Sequence, residues 1–223
     1  MMKMEEAMRK RHTVRKYSDK KLSESFIDVL NERVEMNNQK YHLNMKLEVK
    51  DHKAIPLIFR LLICKGVKNY VVLAGDNSKD LAERIGYAGS DIMLFAQTLG
   101  LNSWWVSGTY NKIHVKKKVK DSTVCGILVI GYGMHEGTPH KSDKTPLDIS
   151  NYMSGDAPEW FKEGVEAALL APTALNRQKF KIIGNENKVK IEIEDGTSYG
   201  LDKGIIKYHF ELGAGKENFE WED

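Results

Sequence analysis

The pattern Asn-x-Gln-Lys-aromatic occurs twice, at Asn37-Asn38-Gln39-Lys40-Tyr41 and at Asn176-Arg177-Gln178-Lys179-Phe180. Each copy follows an amphipathic helical pattern and precedes an extended run. Other segments line up in the same order: Tyr70 to Leu73 with Val189 to Ile193 as strands, and the helix ending Thr98-Leu99-Gly100 with the one ending Glu211-Leu212-Gly213. In that helix pair Ile92, Met93, Phe95 and Leu99 answer Ile205, Ile206, Tyr208 and Leu212. The series predicts an internal duplication, with an insertion around His52 to Lys68 in the first copy. Two copies without further repeats predict a pseudo-dimer inside one chain. The expectation is a single domain over residues 1–223, with 1–150 as first half and crossover and 151–223 as second half. A monomer follows, with a homodimer as the other option.

The second copy is the more informative. Phe161, Val165, Ala168 and Leu169 fall on one stripe of a helix predicted from Pro158 to Leu170, with Asp156 as its N-cap. Pro172 biases Ala171 away from the helical region and ends it. Phe180 to Ile183 is β-favouring, so the loop between joins a helix to a strand. If that loop is extended, the amides of Asn176 and Gln178 point the same way, each with a donor and an acceptor. A heteroaromatic edge suits such a pair. Taken alone, the loop is more simply read as one whose amides satisfy its own backbone.

A second cluster lies near the start. Six of the nine residues from Arg9 to Tyr17 are basic when His12 is counted. Arg11 and Arg15 can clamp a phosphate, with Thr13 adding a hydroxyl, while Val14 and Tyr17 anchor the stretch to the body. Charge runs are more commonly solvated faces. Over the whole chain 34 Lys and Arg face 31 Asp and Glu, a net charge of +3. That near balance argues against a dedicated nucleic-acid binder. The chain carries no run apolar and long enough to span a bilayer, and its first residues lack a signal-peptide core, so the expectation is a cytoplasmic protein with no membrane partner. Cys64 and Cys125 sit among apolar residues and read as buried free thiols. His135 and His140 complete no metal-ligand spacing, so no metal is expected.

The remaining elements follow in order. Ser23 caps a helix carrying Phe26, Ile27, Leu30 and Val34. Ile55 to Ile63 reads as a buried helix or helical hairpin, Leu81 to Ile85 as a helix start, and Ser90 to Leu99 as an apolar helix closed by Gly100. Trp104 and Trp105 read as core rather than stacking platform. Ser107-Gly108 lets backbone approach a flat ligand. Lys116 to Lys118 reads as a solvated face, and Val124 to Ile130 as a central strand. Met134 to Pro158 is a polar crossover. Glu192 to Gly196 carries a hairpin signal, and Phe219 and Trp221 pin a charged tail.

Arg11-His12-Thr13-Val14-Arg15 together with Ala171-Pro172-Thr173, Asn176 and Gln178 resembles the nitroreductase-like flavoproteins, in the branch where both halves of the usual dimer lie in a single chain. Trp105 to Gly108 resembles the family's loop near flavin N5, Val129 to Gly133 its closing strand, and Lys141 with Lys144 its last basic pair. The resemblance implies an α+β fold, a three-layer α-β-α sandwich in which helices flank a mainly antiparallel sheet, with two pseudo-repeats. It implies FMN as cofactor and NADH or NADPH as reductant. Arg11, His12, Thr13, Arg15, Lys141 and Lys144 would hold the phosphate end, Ser107 and Gly108 would line the ring, and Pro172, Thr173, Asn176 and Gln178 would address its edge. The implied reaction is ping-pong hydride transfer through flavin N5 to an electron-poor small molecule, with no catalytic acid or base.

The two copies divide the motif. The first keeps the basic segment but has Arg33-Val34-Glu35-Met36 where Ala-Pro-Thr would stand. The second has Ala-Pro-Thr, Asn and Gln, but Asn151 to Trp160 holds no Arg or Lys. Lys179-Phe180 replaces the family's Pro-Trp. One FMN site between the halves is therefore expected. A flavin-binding or degenerate module without turnover is the alternative, favoured if Trp104, Trp105 or the insertion covers the ring face. A flavin-free interaction protein is a third reading.

Overall fold

The computed structural model describes residues 2–139, 141–194 and 199–222. Among them the strands form two four-stranded sheets rather than one. The first holds β1 (Lys46–Glu48), β2 (Tyr70–Gly75), β3 (Asn102–Val106) and β4 (Thr123–Gly131), in the order β1-β2-β4-β3 and antiparallel throughout. The second holds β5 (Ser150–Tyr152), β6 (Phe180–Asn185), β7 (Lys188–Ile193) and β8 (Glu220–Trp221), in sequential order. There β6 and β7 are antiparallel, and the edge strands join in parallel.

The period of two explains why the first sheet reads as continuous apolar sequence. Val71 and Leu73 of β2 face one core and Tyr70, Val72 and Ala74 face another; Leu128 and Ile130 of β4 divide from Ile127 and Val129 in the same way. One face is covered by α2 (Glu24–Tyr41) and α4 (Leu81–Thr98), and the short α1 (Met4–Lys10) packs on α4. The other is covered by residues 14 to 17, by the insertion, and by α5 (Lys112–Lys116). Ser23 caps α2 as expected, its Oγ accepting from Phe26 N at 3.2 Å. The predicted pieces Leu81 to Ile85 and Ser90 to Leu99 are one unbroken helix, and Gly100 beyond it takes φ 76°. In the second half α7 (Glu159–Leu169) and α8 (Tyr199–Ala214) pack on β6 and β7 through Phe161, Val165, Ile205, Ile206 and Phe210, with Phe219 of the tail closing that core.

With the short helices of the insertion between β1 and β2 set aside, the order helix, strand, strand, helix occurs as α2-β1-β2-α4 and again as α7-β6-β7-α8. The last helices of the two series cross at glycines. A Cβ on Gly86 would meet Leu201 O at 2.2 Å and Gly204 Cα at 3.1 Å, and one on Gly204 would meet Glu83 O at 1.9 Å and Tyr87 N at 2.6 Å. These contacts are reciprocal: they relate Glu83 to Leu201 and Gly86 to Gly204. In that register Ile92 answers Phe210, not Ile205.

Several local expectations change. The insertion is buried at its ends, at Ala54, Ile55 and Cys64, but α3 (Leu57–Leu62) between them leaves Leu57, Ile58, Leu61 and Leu62 more than half exposed. The four fall at i, i+1, i+4 and i+5, one face of the short helix, and that face is turned outward. Asp156 is not a cap, because α7 starts after Pro158 with no side-chain cap. Lys118 is not solvated: its Nζ lies 2.7 Å from Glu48 and 2.9 Å from Asp51. Cys64 is buried and Cys125 half-buried, and both are free. Asn37 to Tyr41 lies inside α2, whereas Asn176 to Phe180 is a loop running into a strand. The second copy has Pro172 to stop its helix and the first has no breaker before Asn37. The hairpin between β6 and β7 turns at Glu186, at φ 54°. Asp195 and Gly196 of the expected turn lie outside the described residues.

Candidate functional site

The basic segment reaches its position as an extra edge. Val14 N donates to Ser103 O at 3.0 Å, and Thr13 pairs with Ser103 in a parallel bridge beside β3. Val14 then enters the core while Thr13 and Arg15, on either side of it, line a cavity of about 640 Å³. β3 and its exit supply Trp104, Trp105, Val106, Ser107, Gly108 and Thr109; the loop after α7 supplies Pro172, Thr173, Ala174, Leu175 and Asn176; α8 supplies Leu201, Asp202 and Ile205. The lining therefore comes from residues up to Thr109 and from Pro172 onward, with none from the insertion. Its volume falls within the roughly 300–1,000 Å³ usual for small-molecule sites.

Seven of the residues expected at the site line this cavity: Thr13, Arg15, Ser107, Gly108, Pro172, Thr173 and Asn176. A Cβ on Gly108 would meet nothing within 4 Å, so the chain there is open. The Arg15 guanidinium lies 5.7 Å from the Trp104 ring centroid. Trp104 is 7% exposed, so it packs into the core as expected and also forms cavity wall.

Five expected residues do not line it. Arg11 is 1% exposed, its Nη2 donating to Leu170 O at 3.5 Å while its Nε is buried without a partner. Burial brings its pKa down to about 10, so it stays charged at neutral pH. His12 accepts from Gly137 N at 2.9 Å through Nε2, which ties the crossover to the basic segment. Lys141 contributes its carbonyl, which accepts from Asn176 Nδ2 at 3.2 Å. Lys144 Nζ donates to Gln178 O at 2.7 Å. Gln178 is 1% exposed: its amide donates to Leu169 O at 2.5 Å and accepts from Ser142 Oγ, and its N–H donates to Thr173 Oγ1 at 3.0 Å.

The two amides do not point the same way because the loop is not extended. Ala174–Asn176 is a 3-10 turn in which Leu175 and Asn176 take φ of 53° and 56°, and Gln178 follows at 46°. One amide is turned inward to hold the loop and the other outward to the cavity. The bent loop is itself held from α8, where Ala174 N donates to both carboxylate oxygens of Asp202 at 3.1 and 3.2 Å. The sequence alone assigns Asp202 and Leu201 no role, and Ile205 only a place in the helix paired with α4. The signal available was an acid in the opening turn of a helix facing the amide loop in the expected pairing of halves.

The amide of the first copy is instead held in a network of side chains from both halves. Asn37 Nδ2 donates to Asp91 Oδ2 at 2.7 Å, Arg33 holds the same carboxylate at 2.6 and 2.5 Å, and Tyr208 closes the network at 2.8 Å.

The family model described as "Putative TM nitroreductase" matches residues 3–214. The chain belongs to this nitroreductase family. A nitroreductase structure from Thermotoga maritima superposes with TM-score 0.67 at 23% identity, covering 97% of this chain and 85% of that one. A structure from Parabacteroides distasonis described as "Putative NADH dehydrogenase/NAD(P)H nitroreductase" has TM-score 0.52 at 21% identity over 67% of this chain and 97% of its own. A nitroreductase from Exiguobacterium sibiricum, solved in complex with FMN, has TM-score 0.52 at 16% identity over 66% of this chain and 95% of its own. At such identities the structures establish the fold: this chain has the nitroreductase-like α+β architecture. Among curated proteins none matches. No described helix is long and apolar enough to cross a membrane.

Proposed function

We propose that the cavity is an FMN site and that the protein is an NAD(P)H-dependent oxidoreductase acting on a small electron-poor acceptor. The observation that carries this reading is that Thr13 and Arg15 of the basic segment, Thr173 and Asn176 of the amide loop, and Ser107 and Gly108 all line one cavity. The complex of the Exiguobacterium relative with FMN supports the choice of ligand.

The residues present fit that cofactor. Arg15 is an exposed residue of the cavity lining and would take the phosphate, with the Thr13 hydroxyl as a further donor. Trp104, Trp105, Pro172 and Ile205 give apolar walls for a flat ring. Thr173 and Asn176 supply polar groups for its edge, and the open backbone at Gly108 lets the ring approach closely. FMN, when bound, would accept a hydride from NADH or NADPH and deliver reducing equivalents to the acceptor in a second half-reaction. The chain's own task is to bind, orient and exclude water. No insertion residue lines the cavity, whereas Trp104 and Trp105 both do, so the insertion gives no support to storage and the two indoles are the groups that decide access to the ring. We further propose that the two helix-strand-strand-helix series descend from a duplication and that the protein acts as a monomer.

The test is the absorption spectrum of protein incubated with FMN and passed through gel filtration. A retained two-band flavin spectrum that bleaches anaerobically with NADH or NADPH is expected. Retention without bleaching would leave a binder, and loss of the flavin on the column would remove the assignment.

A further inference from the structure

Asp202 is the carboxyl group of the cavity that the proposed flavin chemistry does not use. It stands in the first turn of α8, and both its oxygens lie within hydrogen-bond distance of one backbone N–H, that of Ala174. That turn carries Leu175 and Asn176 at positive φ, a conformation that costs a non-glycine residue free energy and must be held from outside. The charged groups around it are engaged elsewhere. On α8, Lys203 and Lys207 turn to Glu83 of α4 at 3.1 and 2.6 Å, and Tyr208 to Asp91. On α4, Tyr87 bonds Glu211 and Arg84 bonds Tyr41 O at 2.5 Å. On the segments facing α8, Lys10 pairs with Glu6 and Arg11 bonds Leu170 O. Arg15 of the same cavity lies over Trp104, and Arg177 on the amide loop is exposed. Among the described residues Asp202 has no ion-pair partner.

We propose that Asp202 is the proton-linked positioning residue of this pocket: occupation by FMN protonates its carboxyl, which in the neutral form still accepts from Ala174 and keeps the ring loop in place. The inference rests on the flavin reading of the cavity. Burial already pushes the carboxyl up to about 6, the Ala174 bond opposing only part of the shift. A ring filling the cavity strips remaining water from a carboxylate that no cation compensates, and FMN brings negative charge of its own, so ionisation becomes harder still. The step is RCOO⁻ plus a solvent proton giving RCOOH, with no electron moved. The sign follows from linkage. The Asp202 contribution to affinity is greatest and flat below about pH 6, and it falls with rising pH, up to tenfold per unit, until the carboxyl of the complex is also ionised.

The experiment is calorimetric titration of FMN into wild type and Asp202→Asn at pH 7, each in two buffers of different ionisation enthalpy. The FMN phosphate titrates alike in both proteins, so the difference in proton uptake reports Asp202. Wild type should take up several tenths of a proton more. At pH 8 Asp202→Asn should bind FMN more tightly, about tenfold if the bound carboxyl titrates one unit higher. Equal uptake with parallel pH profiles would overturn the proposal while leaving the flavin site standing. Failure of FMN to bind either protein would overturn both. If Asp202→Asn does not fold, riboflavin, which has no phosphate, is titrated into wild type: uptake at pH 7 supports the linkage and its absence overturns it.

Discussion

Arg11 and Arg15 belong to one basic motif, yet the fold gives them different tasks. Arg11 is enclosed against Leu170 O, whereas Arg15 is exposed at the cavity. Truncating a large buried side chain leaves a cavity and typically costs about 2–5 kcal/mol. Arg11→Ala should therefore lower the urea midpoint strongly. Arg15→Ala should leave that midpoint nearly unchanged, because it is exposed, and should weaken FMN binding by roughly 10- to 150-fold, the equivalent of about 1.5–3 kcal/mol for a charge-assisted hydrogen bond. Paired urea melts and FMN titrations measure both. Unchanged flavin affinity in Arg15→Ala would remove its assignment to the phosphate. Asn176 and Gln178 divide in a similar way, the first presenting a polar group to the cavity and the second fastening the loop to Leu169 and Thr173.

At the scale of elements, the two Asn-x-Gln-Lys-aromatic segments show that similar residues need not take the same conformation. Pro172 stops α7 and frees the second copy to form a bent loop, while the first copy continues as helix to Tyr41. Asn37 is then held at Asp91 within a helix-to-helix network. The glycines where α4 and α8 cross let the two backbones approach closely. A methyl group at Gly204 would sit 1.9 Å from Glu83 O, and backbone on both sides leaves little room to yield. Gly204→Ala should destabilise the protein by about 1–3 kcal/mol, the usual range for overpacking, despite alanine's better helix propensity. Chemical denaturation reads this directly; a neutral or stabilising result would mean the helices separate readily. Because Leu201, Asp202 and Ile205 line the cavity from α8, the same substitution should also loosen FMN binding.

For the whole molecule, the polar cluster on the far face of the first sheet makes an acid-sensitive joint. Burial alone would raise the Asp51 carboxyl, but His114, Lys118, the Lys53 N–H and the Tyr70 hydroxyl all bond to it and hold it well below the usual carboxylate range. A depressed folded-state pKa contributes stability that is complete above the unfolded value of about 4 and lost as pH falls below it. Wild type should lose stability steeply between about pH 4 and 2, and Asp51→Asn should flatten that limb while being less stable at neutral pH. Urea midpoints followed by tryptophan fluorescence across this range check the prediction; an unaltered acid limb would place the sensitivity elsewhere.

The sequence by itself determined the main helices and strands and their order, though not β5 or β8, which lie in stretches read as crossover and tail. Periodicity located α2, α4, α7, β2 and β4, Ser23 marked a cap, Pro172 marked a stop, and the split of the motif between Arg11 to Arg15 and Ala171 to Gln178 pointed to one site between halves. The elements and their ends are local facts, fixed by side-chain spacing and backbone preference, whereas the single site between halves is an expectation drawn from motifs far apart in the chain. Only the tertiary structure decided that the strands form two sheets, that α3 stands out with its leucines exposed, that Arg11 is enclosed and Gln178 turned inward, and that Asp202 closes the cavity from a helix distant in the chain. Each depends on which surfaces meet. Charge and residue type say that a group can bind a ligand, but burial and neighbouring donors decide whether it does or instead holds the protein together.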